Sequence, residues 1–482
     1  MSKLPQNCLI IILCFCLFPS WASDDYKCEI EVKVHENVLM SSDSGKAILD
    51  KNDMNTSYKF KATSEFIPDS EGEWVEYLGG KTRPYKWEPE AIIKGERSKD
   101  GKSSIGTCSP KEENWGTEFK VKVNVRMRLH GNQNKPKIES ADAEMDVIAP
   151  LIKIEKASFS ENGGGNGFII HDKFRGVGVS TPEFIKDDKT PEKDRSPIGY
   201  YSGHKPSCVV TFQALPESMK TITVKCEAGI FASEETELSI SEGKAEGSVT
   251  AKEELKKKCR SGVEKAVWSF SVLGVKLSSL KEPMNISNCY VLLDEGSIDK
   301  PWKSLLRVAF DKWNFSGATS HDELMNVLSG GISHTASYNS GWNSETGQTG
   351  SLYIDQKKSP MPLSVAKMVE AFVNGDPSII CTEAAGLMEY AAAVLGSGGV
   401  SSRGINWKES KTITNAAGQS EVKTWSSGHA YCLYEEKVHD PVPKNKGPRN
   451  MSETQYIDTV WKVDSNRKEF TAPRGLSFSF EE

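Results

Sequence analysis

After residue 22 the 482-residue chain has no run of apolar residues long enough to cross a bilayer, which argues against an integral membrane segment there. Excess basic charge is missing too: a formal net charge of −6 and a pI near 5.9 leave no electrostatic footprint for nucleic acid. Histidine is scarce, with 8 in the chain. Neither His334 nor His439 has a second His, Cys or carboxylate at ligand spacing, so neither a metal nor any other cofactor is expected. There is no exact internal repeat. Gly163-Gly-Gly-Asn-Gly167 lacks the strand, helix and Lys-Ser/Thr of a phosphate cradle, and reads as a flexible turn.

What is present is enough apolar sequence for real cores, 37% hydrophobic against 26% charged, in a chain long enough for about three domains. The start is distinctive. Lys3 precedes the apolar run Cys8 to Phe18, then Pro19-Ser20-Trp21-Ala22, the three regions of a secretory signal peptide over residues 1–22. The mature chain is therefore expected to be secreted or held in the periplasm or cell envelope. Export makes disulfides expected among Cys28, Cys108, Cys208, Cys226, Cys259 and Cys289; the sequence leaves their connectivity open, with Cys28–Cys108 a candidate pair because they are the only two in the first β-rich region. Cys381 and Cys432 would remain.

Residues 23–150 read as β structure, clearest in Phe119 to Leu129, where apolar and polar residues alternate as in a strand with one buried face. Tyr26 to Val34 and Tyr58 to Ala62 do the same, with turns between. This predicts an antiparallel β-sandwich. Residues 151–296 carry further strands, among them Cys208 to Gln213, Lys220 to Lys225, Ala266 to Val272 and Cys289 to Leu293, and predict a second, Ig-like sandwich. Lys186 to Arg195 reads as a solvated loop. Lys252 to Arg260 reads as a short exposed helix.

From 297 to 482 the apolar period becomes helical before strands return, which predicts an α+β domain. Trp302 to Trp313, a helix opened by Ser320 and Glu323, and Leu363 to Val373 lead to the last helix, which starts at Cys381 and runs to Leu395. A thiol at a helix start faces free backbone N–H groups and the positive end of the dipole, which favour thiolate. Downstream stand Ser427-Gly428-His429-Ala430-Tyr431 and Val460-Trp461-Lys462-Val463-Asp464. Cysteine, histidine and carboxylate in this order supply a nucleophile, a base and a group that orients the base.

The run resembles the transglutaminase-like family: Cys381 on a helix, Gly399-Val400 with Arg403, His429-Ala430-Tyr431 on one strand, and Trp461 three residues before Asp464 on the next. The resemblance covers roughly the last third of the chain and implies a papain-like core with Cys381, His429 and Asp464 as catalytic residues. Asp440 competes for the third place. Asp464 is preferred because Trp461 precedes it and Tyr456 to Val463 alternates like a strand, whereas Asp440 precedes a proline. The backbone N–H of Cys381 is one oxyanion donor, and Trp342 or Gln348 a candidate second. The expectation is an exported cysteine enzyme acting on amide or peptide bonds of a protein or peptide through a thioester, by transamidation or hydrolysis. The alternative is a scaffold whose sandwiches contact a surface or polymer and whose third domain is silent, with Cys381 and His429 apart, blocked or tied up in a Cys381–Cys432 disulfide.

Overall fold

The computed structural model describes residues 26–482 except 35–37, 43, 51–56, 69–73, 78–84, 98–101, 131–136, 192–193, 339–341, 344–347, 350–351, 376, 415–419, 443–449 and 462–466. The expected signal peptide lies outside the described residues. The chain is mostly β-sheet, with helices gathered in its last third.

The first region is built from two facing sheets. One holds strands Tyr26–Val34, Tyr58–Pro68, Ser103–Cys108 and Ile93–Arg97 in that order; the other is centred on Thr117–His130 and Lys137–Ala149. Alternation does the work here. Val121, Val123 and Val125 are buried against Tyr58, Phe60 and Trp87, while Lys120 and Lys122 on the other face pair with Glu144. Gly95 and Gly106 sit opposite each other on adjacent strands, and a Cβ at Gly95 would lie 2.3 Å from Trp87 Cδ1. The pair is a slot for the indole, whose Nε1 donates to Ser104 Oγ at 2.9 Å.

The second region is β-sheet, its strands falling into two groups that Thr236–Ser241 joins. Nine strands follow one continuous path from Phe184–Ile185 to Ile198–Tyr201, because Thr236–Ser241 pairs with Thr221–Cys226 through its first residues and with Lys244–Thr250 through its last. A single core containing Phe159, Phe212, Phe231, Trp268 and Phe270 fills the fold. Two local expectations change. Lys252 to Arg260 forms no helix but an exposed turn pinned by buried Leu255 and Cys259, whose backbones bond to His204 and Ala318. The glycine run is packed tightly: Gly164 has φ +83°, and a Cβ at Gly165 would lie 2.0 Å from the Phe159 carbonyl.

The third region holds α1 (Lys303–Asp311), α2 (His321–Thr335), α3 (Val365–Asn374), α4 (Cys381–Val394) and α5 (Glu453–Tyr456). Ser320 Oγ accepts the Glu323 N–H, but the Glu323 carboxylate turns to Thr319, so only half the expected capping box closes. α4 is buried on nearly all sides. It lies against the antiparallel pair Ser401–Thr414 and Ser420–Tyr434, which continues into Lys437–His439 on one side and Arg467–Phe470 on the other. Tyr456 to Val463, expected as a strand, is helical as far as Trp461: α5 runs into a wider π turn at Ile457–Trp461.

The expected disulfides are not formed. Cys108, Cys208, Cys226, Cys259, Cys289, Cys381 and Cys432 are all free thiols. For Cys28–Cys108 the backbone gives the reason: on the shared strand Cys28 pairs with Phe66 and Cys108 with Tyr58. Eight residues of strand separate them, roughly 26 Å at about 3.3 Å per residue, far beyond the reach of a disulfide.

Candidate functional site

Cys381 opens α4 because the chain enters extended at Ile380 and the Glu383 carboxylate turns back to accept the Ile380 N–H at 3.0 Å. Glu383 is itself 1% exposed, and its second oxygen takes the N–H groups of Leu352 and Tyr353 at 3.0 and 2.7 Å. One buried carboxylate thus fixes both the helix start and the chain beside it. Cys381 is half-buried, whereas Cys108, Cys208, Cys226, Cys259, Cys289 and Cys432 are buried.

His429 lies on Ser420–Tyr434, and strand alternation separates its surroundings from those of its neighbours. Ala430 and Cys432 pack into the helical core, while Tyr431 packs on the opposite face with Ile405, Val438, Tyr456 and Ile457. Cys432 Sγ donates to the Ala385 carbonyl at 3.3 Å and makes no disulfide with Cys381.

The carboxylate on His429 is Asp440. Its Oδ2 is 3.1 Å from His429 Nε2, accepts a short hydrogen bond from the Tyr456 hydroxyl, and belongs to a group with no exposed surface; Oδ1 accepts the Val442 N–H at 3.0 Å. Asp464, preferred on sequence, lies outside the described residues. Asp440 reaches His429 because the positive-φ turn Glu435-Glu436 folds the chain into a hairpin that pairs Cys432 with His439. One step further along that register Asp440 is diagonal to His429, within reach of both side chains. Pro441 does end the strand, and at the strand end Asp440 can turn to its own backbone two residues on.

With Nε2 turned to Asp440, Nδ1 is the imidazole nitrogen left for the thiol. Burial works against charge on His429, but the Asp440 charge and hydrogen bond, aided by Cys381, win and raise its pKa to about 10. Burial likewise pushes the Cys381 thiol up, yet the hydrogen bond and charge of His429, with the Ala430 backbone and Thr382, bring it below the ordinary value. The contrast within the chain is sharp: burial raises Cys108, Cys259 and Cys289 to about 12. Cys432 is also raised by burial.

Two tyrosines complete the surroundings. Tyr338, brought beside the α4 entry by parallel pairing with Ile379, hydrogen-bonds Cys381, and burial followed by the thiolate's charge raises its phenol. Tyr456 holds Asp440. Neither is marked as a site residue by the sequence, since a lone tyrosine carries no spacing signal. Trp342 and Gln348, the candidate second oxyanion donors, fall on a two-residue ladder with partners Thr349 and Asn343; their side chains lie outside the description. Tyr338 is the donor that meets the sulfur.

His439 is buried and held to about 4, chiefly by desolvation. His334 contacts the Gly330 carbonyl one helical turn back. Among the described residues no three His, Cys, Asp or Glu side chains are grouped to hold a metal ion.

Neither a family model nor a curated protein matches the chain. Among solved structures it is similar to extracellular cadherin domains 3 to 6 of protocadherin gamma B2, at 10% identity and TM-score 0.16, over 57% of this chain and 51% of that one. A mouse clustered protocadherin fragment of domains 1 to 3 aligns at 9% identity and TM-score 0.14, over 55% of this chain and 89% of that one. A Salmonella alpha-2-macroglobulin aligns at 8% identity and TM-score 0.13, over 54% of this chain and 16% of that one. The chain thus spans about half the length of the protocadherin gamma B2 fragment.

Proposed function

We propose that the protein is an exported cysteine enzyme of transglutaminase-like type, acting on amide or peptide bonds with Cys381, His429 and Asp440. One observation carries the reading: a half-buried thiol opens a helix beside a histidine whose other side is held by a buried carboxylate at 3.1 Å, and the directions of the two pKa shifts agree with that geometry. That arrangement supports a nucleophile, a base and an orienting group acting together.

In the proposed reaction the Cys381 thiolate attacks the carbonyl carbon of an amide, and the carbonyl oxygen takes the negative charge. The Cys381 N–H and the Tyr338 hydroxyl stabilise that oxygen. His429 then gives its proton to the departing amine as the C–N bond breaks, leaving a thioester. An incoming amine or water loses its proton to His429 and releases the acyl group, restoring the thiolate and the imidazolium. Asp440 holds the imidazole throughout.

The test is labelling of the non-reduced full chain with iodoacetamide near neutral pH. Cys381→Ala removes the label and keeps the thermal transition, and Cys432→Ala leaves labelling unchanged. Label that persists in the first variant or disappears in the second overturns the assignment.

A further inference from the structure

We propose that α5 is a clamp behind the base, with Tyr456 a positioning residue that aims Asp440 at His429 and Glu453 bracing the same histidine through Tyr431. The inference rests on the enzymatic reading of the site and names two residues, of which Tyr456 reads in the sequence as the start of a strand.

Glu453 and Tyr456 are three apart on α5 and so share a face. The Tyr456 side chain is fully buried, and its hydroxyl donates to Asp440 Oδ2, the oxygen that also receives His429 Nε2. With the Val442 N–H on Oδ1, three donors converge on this carboxylate, a set that suits its ionised, acceptor-only form. On the other side of the face, Glu453 Oε1 accepts the Tyr431 hydroxyl at 2.8 Å and Arg403 Nε at 3.1 Å. The Tyr431 ring lies nearly parallel to the imidazole, 23° between planes at 6.4 Å, and meets the Tyr456 ring at 5.2 Å. The imidazole is thus held at its edge by Asp440 and flanked by a ring that Glu453 anchors.

α5 is fixed at its own start, where Ser452 Oγ accepts the Gln455 N–H and the Gln455 side chain accepts the Ser452 N–H. The Ser452 backbone bridges to Lys437, so the clamp is tied to the hairpin that carries Asp440. Among the described residues, charged or titratable groups around the set include Tyr338 on the thiol, Arg403 on Glu453, and Glu389, which accepts the Ser402 N–H on the far side of the strand near Cys432. None of these makes the Tyr456 contact with Asp440.

If Tyr456 aims Asp440, removing one oxygen atom weakens the hold on charged His429, and less thiolate forms at low pH. The experiment measures the rate of Cys381 alkylation by iodoacetamide from pH 5 to 9 in the full chain and in Tyr456→Phe. The expected result is a rate about tenfold lower at pH 6, equal within a factor of two at pH 9, with the profile's midpoint moved up. Glu453→Gln, which leaves the buried ring in place, is expected to move the midpoint the same way by less, and it decides the matter should Tyr456→Phe not fold. Profiles that coincide with the parent, or rates lowered equally at every pH, overturn the clamp while leaving the Cys381 assignment standing. Absence of Cys381-dependent label in the parent chain overturns the enzymatic reading itself.

Discussion

His429 and His439 lie ten residues apart; burial works against charge on both, and what each ring faces decides the outcome. His429 has a carboxylate within hydrogen-bond distance and is held charged; His439 has no hydrogen-bond partner on either ring nitrogen among the described residues and is held neutral. The consequences for stability therefore have opposite signs. The raised pKa of His429 contributes stability that is fully present below about 6.5 and is lost as pH rises through about 10. His439 titrates near 4 in the fold and nearer 6.5 when unfolded, so it costs stability as pH falls between those values, with a slope of up to about 1.4 kcal/mol per unit. Replacing His439 by Phe is expected to flatten the acid side of the stability curve between pH 6.5 and 4, measured by urea denaturation at each pH. A curve as steep as the parent's would show that His439 does not carry this term.

At the scale of elements, alternation and helical period are local properties, and the residues that show them can be read in order. Thr117–His130 and the start of α4 at Cys381 follow from such patterns. The third member of the site does not, because its place depends on a hairpin register and on a one-turn helix 13 residues beyond Asp440, starting at Glu453. Tyr456 to Val463 alternates in sequence yet is helical to Trp461; the Ser452–Gln455 cap starts a turn that the alternation does not reveal. Glu383 is the element-scale device with the largest expected effect. It joins α4 to the Leu352-Tyr353 segment through three backbone N–H groups, so Glu383→Ala strands the buried Ile380 donor and two partly buried ones and is expected to cost about 2 to 4 kcal/mol. Denaturant unfolding measures that cost; a change under about 0.5 kcal/mol would mean that the segment finds other partners.

For the whole molecule, the cysteines give a chemical readout of the fold. The sequence suggested a disulfide framework because export and cysteine number are properties of the chain, whereas bonding depends on which side chains meet; register keeps Cys28 from Cys108, and packing leaves the described thiols reduced. Core formation reaches across regions: Phe168, Ile170, Phe174 and Val179, from before residue 297, pack with Trp302 and Tyr390, and Arg175 joins Asp299 and the Phe480 carbonyl. The most direct test of the central claim is the pH dependence of iodoacetamide alkylation, mapped cysteine by cysteine on the folded, non-reduced chain and on His429→Ala. The account predicts rapid modification confined to Cys381 and persisting below pH 7, falling about a hundredfold at pH 6.5 without His429. A Cys381 rate that rises only near pH 9, unchanged by loss of His429, would contradict it.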